Sequence, residues 1–216
     1  MVDKKNIMII LGTAHLGSTA GKRSPDGRLR EAIYSREIVE EVEAKLLGYG
    51  YNVTVDYRPL EENESMRAVS KSLNQQNREL IYRARQVNKM CDKFGAMNCL
   101  YVCVHVDAAG MGDRWYGATG WSVRVSPKAS SRSKTLANCL WTAAESHGLK
   151  MRKPKTDQKY YEQSLYVLNQ TKCPAVLTEN LFQDNKDDVE FLLSDEGRHA
   201  IERAHVEGII KYLNIL

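Results

Sequence analysis

Three residues with metal-binding or acid–base side chains follow apolar runs that predict β-strands. His15 comes four residues after the run IMIIL, His105 directly follows LYVCV, and Glu179 directly follows AVLT. In open α/β sheets, sites form beyond the carboxyl ends of the strands. If these three strands are parallel neighbours, two imidazoles and a carboxylate converge on one crevice.

Glu31 is a fourth candidate, at the start of a segment with helical spacing. At about 100° per residue, its side chain lies within roughly 20° of Ile38 and Val42, which form the inward apolar face. A carboxylate on a buried face must be paired, protonated or bound to a metal. The pattern therefore adds a buried oxygen ligand to the two imidazoles.

Two His and one Glu form a known catalytic zinc set that leaves a fourth position for water. The metal would make that water more acidic and polarise a carbonyl group. A second carboxylate is then needed to move the proton, and Glu179 fits that role. Spacing alone leaves plainer interpretations open: each His as a hydrogen-bonded loop residue, Glu31 as a first-turn carboxylate, and Glu179 as a cap of the next segment.

The elements that must position these residues follow from hydrophobic periodicity. Helical spacing predicts four helices, over residues 31–47, 67–94, 131–146 and 195–213. Apolar runs bounded by turn signals predict six strands, over residues 6–11, 51–56, 100–105, 121–125, 165–168 and 175–178. Strands that alternate with helices indicate an α/β fold with a largely parallel sheet. We find no repeat or linker and predict one domain over residues 1–216.

The composition argues against a disulfide-rich protein and against a membrane-spanning protein. The 216 residues include 43% hydrophobic residues, enough for a substantial core, and the net charge of +4 suits an anionic partner without identifying it. Five cysteines without a C-x-x-C pair predict reduced, buried thiols. No run reaches the roughly 18–20 apolar residues of a membrane span, so we expect no stable membrane association. Lys4 and Lys5 precede only a short apolar run, which we interpret as a first strand; we expect synthesis in the cytoplasm without a signal peptide.

Four segments carry a family resemblance in the correct order. They are residues 14–17 (AHLG), 27–31 (GRLRE), 103–108 (CVHVDA) and 178–185 (TENLFQDN), and the ending at 204–212 also agrees. In these segments the chain resembles the zinc-dependent N-acetylmuramoyl-L-alanine amidases of the amidase-3 type, particularly the catalytic modules of phage endolysins. The resemblance implies a twisted, mostly parallel sheet flanked by helices. It implies that His15, Glu31 and His105 hold Zn²⁺ and that Glu179 is the catalytic carboxylate.

The same resemblance implies peptidoglycan as the substrate and the bacterial cell wall as the place of action. Two departures concern substrate preference more than metal binding: Ala14 replaces the usual Gly, and Asp107 stands where the family often has Asn. Asp107 either orients a ligand or is a solvated loop acid. The basic residues of the 16–30 loop either contact substrate or are solvated.

Three rival functions stay open at this point. The first is a non-catalytic peptidoglycan-binding module of the same fold, and the second is a zinc hydrolase acting on another peptide-like amide. The third is a nucleic-acid-binding protein. We expect no nucleic-acid partner, because acidic residues are interleaved throughout and no known motif is present. No pattern indicates an oligomeric state.

Overall fold

The computed structural model describes residues 3–111 and 113–215 and contains a six-stranded sheet in the order β2-β1-β3-β6-β4-β5. The strands pair in parallel except β4, which is antiparallel to β6. They are Met8–Thr13 (β1), Asn52–Val55 (β2), Cys99–Asp107 (β3), Ser122–Val125 (β4), Tyr161–Glu162 (β5) and Ala175–Phe182 (β6).

Helices cover both faces of this sheet. They are Glu31–Gly48 (α1), Glu64–Arg67 (α2), Gln75–Phe94 (α3), Ser131–Ser146 (α4), Tyr166–Gln170 (α5), Lys186–Leu193 (α6) and Asp195–Leu213 (α7). Two short 3-10 helices lie at Lys4–Asn6 and Ala96–Asn98. No helix in the described ranges has the length and apolar character that a membrane span requires.

The central strands are buried on both faces, which explains their nearly continuous apolar sequence. In β1, Ile9 and Leu11 join a core cluster with α1, α4 and α7. The alternate residues Met8 and Ile10 join a second cluster with α3 and α5 on the opposite face. Helices on both faces thus fix the middle of the sheet, where the candidate site residues lie.

The predicted α/β fold with a six-stranded, mostly parallel sheet is confirmed. The helices predicted at 131–146 and 195–213 have the predicted bounds. The strand predicted at 165–168 is wrong, because this segment forms the short helix α5. A short apolar run can belong to a buried strand or to one face of a helix, and periodicity does not separate the two.

The helix predicted at 67–94 is also partly wrong. The chain leaves the helical conformation after α2 and starts again at α3, where the Asn74 side chain accepts a hydrogen bond from the Asn77 backbone N–H. Asn is a favoured N-cap residue, so the second start has a local cause. The five cysteines are free and buried, as predicted.

Strands β1, β3 and β6 are parallel neighbours, so their carboxyl ends meet at one edge. Thr13 pairs with Val104, and His105 pairs with Glu179. The parallel arrangement that would bring His15, His105 and Glu179 together is therefore present.

Candidate active site

The structure brings His15, Glu31 and His105 together at this edge of the sheet. The two carboxylate oxygens of Glu31 lie 3.0 Å from His105 Nδ1 and 3.6 Å from His15 Nε2. The imidazole rings are 5.1 Å apart between centroids and nearly perpendicular. One ligand atom from each residue lies within 4.8 Å of the others, close enough for the three side chains to share one metal ion.

Glu31 is the first residue of α1, and its side chain is only 1% exposed. Its Oε1 faces His105 and accepts a hydrogen bond from the Val106 backbone N–H. Its Oε2 is buried and has no hydrogen-bond partner among the described residues. This oxygen is therefore available as a ligand beside two imidazoles, and the donor set fits a divalent metal ion.

Two arginines that the sequence analysis missed hold the backbone of His15. This residue has a φ of 40°, an uncommon conformation for a residue with a side chain. Arg36 donates a hydrogen bond to the His15 carbonyl at 2.9 Å and Arg83 donates a longer one at 3.4 Å. Arg83 is itself buried and pairs with Asp56 and Glu79. Tertiary contacts thus stabilise the turn that presents the first imidazole.

A buried network under β6 supports the second imidazole. Asn180 donates one hydrogen bond to the His105 carbonyl at 2.8 Å and another to Thr178 Oγ1. The Trp121 indole donates to Asn180 Oδ1, and Thr178 contacts the buried ring of His205. Trp121 is therefore a core residue that braces the strand behind the site.

The protonation states of Glu31 and His15 favour metal binding. Burial alone would raise the pKa of Glu31, but the hydrogen bond with His105 and the charges nearby outweigh burial and hold the pKa at about 2. Burial is the main cause that lowers the pKa of His15, to about 3. A carboxylate and a neutral imidazole are the protonation states that bind metal ions.

Glu179 lies beside this triad on β6, with a side chain that is 14% exposed. Burial raises its pKa to about 8, although the nearby charge of Arg124 acts in the opposite direction. Glu179 and the triad line one cavity of about 350 Å³. A carboxyl group with a raised pKa in such a cavity is suited to accept and return a proton near neutral pH.

The fold places Lys22 and Asp107 next to the candidate site, a position that their sequence context did not predict. Lys22 lines the cavity, and its Nζ is 3.7 Å from Glu31 Oε2. Asp107 is 15% exposed and ion-paired with Arg124 and Arg152, so it is not a freely solvated loop acid. No periodicity in the sequence separates these residues from other surface charges; only the fold brings them to the cavity.

The sequence of the chain is similar to an endolysin and to an N-acetylmuramoyl-L-alanine amidase. It is 34% identical to the endolysin of Bacillus phage SPP1 over 137 residues, which cover 63% of this chain and 46% of the endolysin. It is 40% identical over 52 residues to the N-acetylmuramoyl-L-alanine amidase CwlM of Bacillus licheniformis, covering 24% of this chain and 21% of CwlM. The chain spans less than half the length of the curated relatives it matches.

The fold is shared with a solved amidase over almost its whole length. An N-acetylmuramoyl-L-alanine amidase from Clostridium difficile 630 superposes with a TM-score of 0.77, at 19% identity, covering 98% of each chain. The family description N-acetylmuramoyl-L-alanine amidase (Amidase_3) matches residues 7–211. This match confirms the resemblance given by the four motifs. The chain belongs to the amidase-3 family of N-acetylmuramoyl-L-alanine amidases.

Proposed function

We propose that the chain is a zinc-dependent hydrolase that cleaves the amide bond between N-acetylmuramic acid and L-alanine in peptidoglycan. The observation that carries the proposal is the buried Glu31 carboxylate between two imidazoles, with Glu179 in the same cavity. Membership of the amidase-3 family supports the choice of bond. Similarity to a phage endolysin supports the bacterial cell wall as the place of action.

His15, Glu31 and His105 would hold the ion, since they supply two nitrogen donors and one oxygen donor at one point. A zinc ion there supplies Lewis-acid chemistry: it makes water more acidic and polarises the carbonyl group of the scissile amide. Zinc is preferred over magnesium or calcium because two of the three ligands are imidazoles.

Glu179 would carry the proton in both halves of the reaction. Its carboxylate first removes a proton from the water that attacks the carbonyl carbon. As the bond between carbonyl carbon and nitrogen breaks, Glu179 gives this proton to the nitrogen of L-alanine. The released peptide then begins with a free amino group and the glycan keeps a carboxylic acid.

The test is digestion of purified peptidoglycan and of a soluble muropeptide, with products identified by mass spectrometry. We expect stem peptides that begin with L-alanine, loss of the reaction after chelation, and recovery with zinc. Glu179→Gln should bind zinc and lose roughly 10²- to 10⁴-fold in kcat. Glu40→Gln, an exposed carboxylate change on α1, is the matched control.

Three results would contradict the proposal in different ways. Binding to walls without any product would favour the binding module of the same fold. Cleavage of a different amide under the same zinc dependence would favour another substrate for the same chemistry. Full activity after verified removal of metal would exclude the zinc mechanism itself.

A further inference from the structure

Arg124 contacts Glu179 from the one antiparallel strand next to β6. In the β4–β6 pair, Arg124 lies opposite Leu177, two residues before Glu179 and therefore on the same face of the sheet. This diagonal position is within reach of a long side chain. Arg124 Nε lies 3.2 Å from Glu179 Oε1, an ion-pair contact rather than an aligned hydrogen bond.

The Arg124 guanidinium is itself held in place. Its Nη2 donates a hydrogen bond to Asp107 Oδ2 at 2.6 Å, and its Nη1 donates to Gln163 Oε1. Asp107 is fixed in turn, because its Oδ1 accepts from the Ala108 backbone N–H. The Arg124 and Asp107 side chains are 16% and 15% exposed. Arg124 is therefore a largely buried cation with a defined orientation.

Arg124 is the only ion-pair partner of the Glu179 carboxylate among the described residues, and none of them hydrogen-bonds to it. Its Oε2 is buried and has no hydrogen-bond partner in the same ranges. The two oxygens thus differ: Oε1 contacts the guanidinium, whereas Oε2 is free to exchange a proton.

We propose that Arg124 is a positioning residue: with Asp107 as its anchor, it holds Oε1 of Glu179 so that Oε2 serves as the proton-transferring oxygen. The proposal rests on the catalytic role of Glu179 given above. In this role Arg124 acts through Glu179, which lines the cavity; Arg124 is not among the described residues that line it. Asp107, which stands where the family often has Asn, supplies the negative charge that balances the Arg124 guanidinium.

The test compares kcat and KM of zinc-loaded Arg124→Met and Arg124→Lys on a soluble muropeptide. A displacement of a catalytic group by about 1 Å can lower the rate about 100-fold, so we expect Arg124→Met to lose roughly 10- to 100-fold in kcat with KM nearly unchanged. Arg124→Lys should recover part of the loss, because a lysine keeps the charge without the planar fork. Arg198→Met is the matched control: Arg198 pairs with Glu37 and Glu41, far from the cavity, and is 23% exposed.

A double variant shows whether the effect passes through Glu179. The effects of substitutions at residues that act as one unit are not additive. Arg124→Met should therefore lower kcat little further in a protein that already carries Glu179→Gln. An equally large further loss in the double variant, or a normal kcat in Arg124→Met, would overturn the positioning role.

A crystal structure of Arg124→Met gives a readout that does not depend on activity. We expect the Glu179 carboxylate to leave its present position. If the carboxylate stays in place, the positioning role is wrong while the amidase proposal stands. If instead wild-type protein cleaves no amide, the proposed function fails, whatever the position of Glu179 in this variant.

Discussion

Replacing His205 by Gln should change how the free energy of unfolding depends on pH. His205 is fully buried on α7, where Nδ1 lies 2.7 Å from the Ile201 carbonyl and Nε2 lies 2.8 Å from Thr178 Oγ1. A carbonyl only accepts hydrogen bonds, so Nδ1 carries the proton of the neutral ring and Nε2 is the acceptor. Burial lowers the pKa of His205 from 6.5 to about 4.

The sign of the effect follows from proton binding. Between pH 6.5 and pH 4 the unfolded chain takes up a proton at His205 and the folded protein does not, so acid favours unfolding. Each pKa unit corresponds to about 1.4 kcal/mol. Wild-type protein should therefore lose about 2–3 kcal/mol through His205 between pH 7.5 and pH 4.5, and almost nothing through this group above neutrality.

The assay is urea unfolding at both pH values in the presence of a chelator. At pH 7.5 we expect His205→Gln to be less stable than wild type by about 1–3 kcal/mol, because buried hydrogen bonds are lost. At pH 4.5 this difference should shrink by about 2–3 kcal/mol, because Gln does not titrate. His199→Gln, exposed on the same helix, is the control. A difference between wild type and His205→Gln that stays constant from pH 7.5 to pH 4.5 would show that His205 does not titrate differently in the folded and unfolded protein.

Three further changes test the surroundings of the site. Arg83→Met should lower the free energy of unfolding by about 3–5 kcal/mol in urea titrations, because it leaves the buried Asp56 carboxylate without its cation. A loss below about 1 kcal/mol would contradict this. Lys22→Met should tighten zinc binding several-fold in chelator competition, because it removes a positive charge 3.7 Å from Glu31; weaker binding would show that Lys22 supports the site. Without metal, Glu179→Gln should become more stable relative to wild type as the pH rises from 5 to 8, by up to about 3 kcal/mol in unfolding free energy. The reason is that the unfolded wild-type chain releases its Glu179 proton near pH 4.5, whereas the folded protein keeps it. A gain independent of pH would contradict the raised pKa of Glu179.

The sequence predicts the position of the four candidate site residues because simple periodicities govern them. His15, His105 and Glu179 follow strands that are parallel neighbours, and such strands end at one edge. Glu31 is buried because it shares a helix face with Ile38 and Val42, which are fully buried. Both arguments need only local patterns and the fold class.

The residues that hold these side chains could not be predicted in the same way. Arg124 reaches Glu179 because β4 runs antiparallel to β6, and no pattern in the chain gives the order or direction of the edge strands. Arg83 lies under His15 because α3 packs across β1 and β3. Contacts between distant segments depend on packing of the whole domain, which hydrophobic spacing does not specify.

We propose that His15, Glu31 and His105 share one zinc ion, and diffraction from zinc-loaded crystals at the zinc absorption edge would locate that ion. We expect one anomalous peak at the carboxyl ends of β1 and β3, with a nitrogen of each imidazole and an oxygen of Glu31 about 2.0–2.2 Å away. A zinc peak held by other residues, or a fully loaded protein in which either imidazole lies beyond ligand distance from the ion, would contradict it.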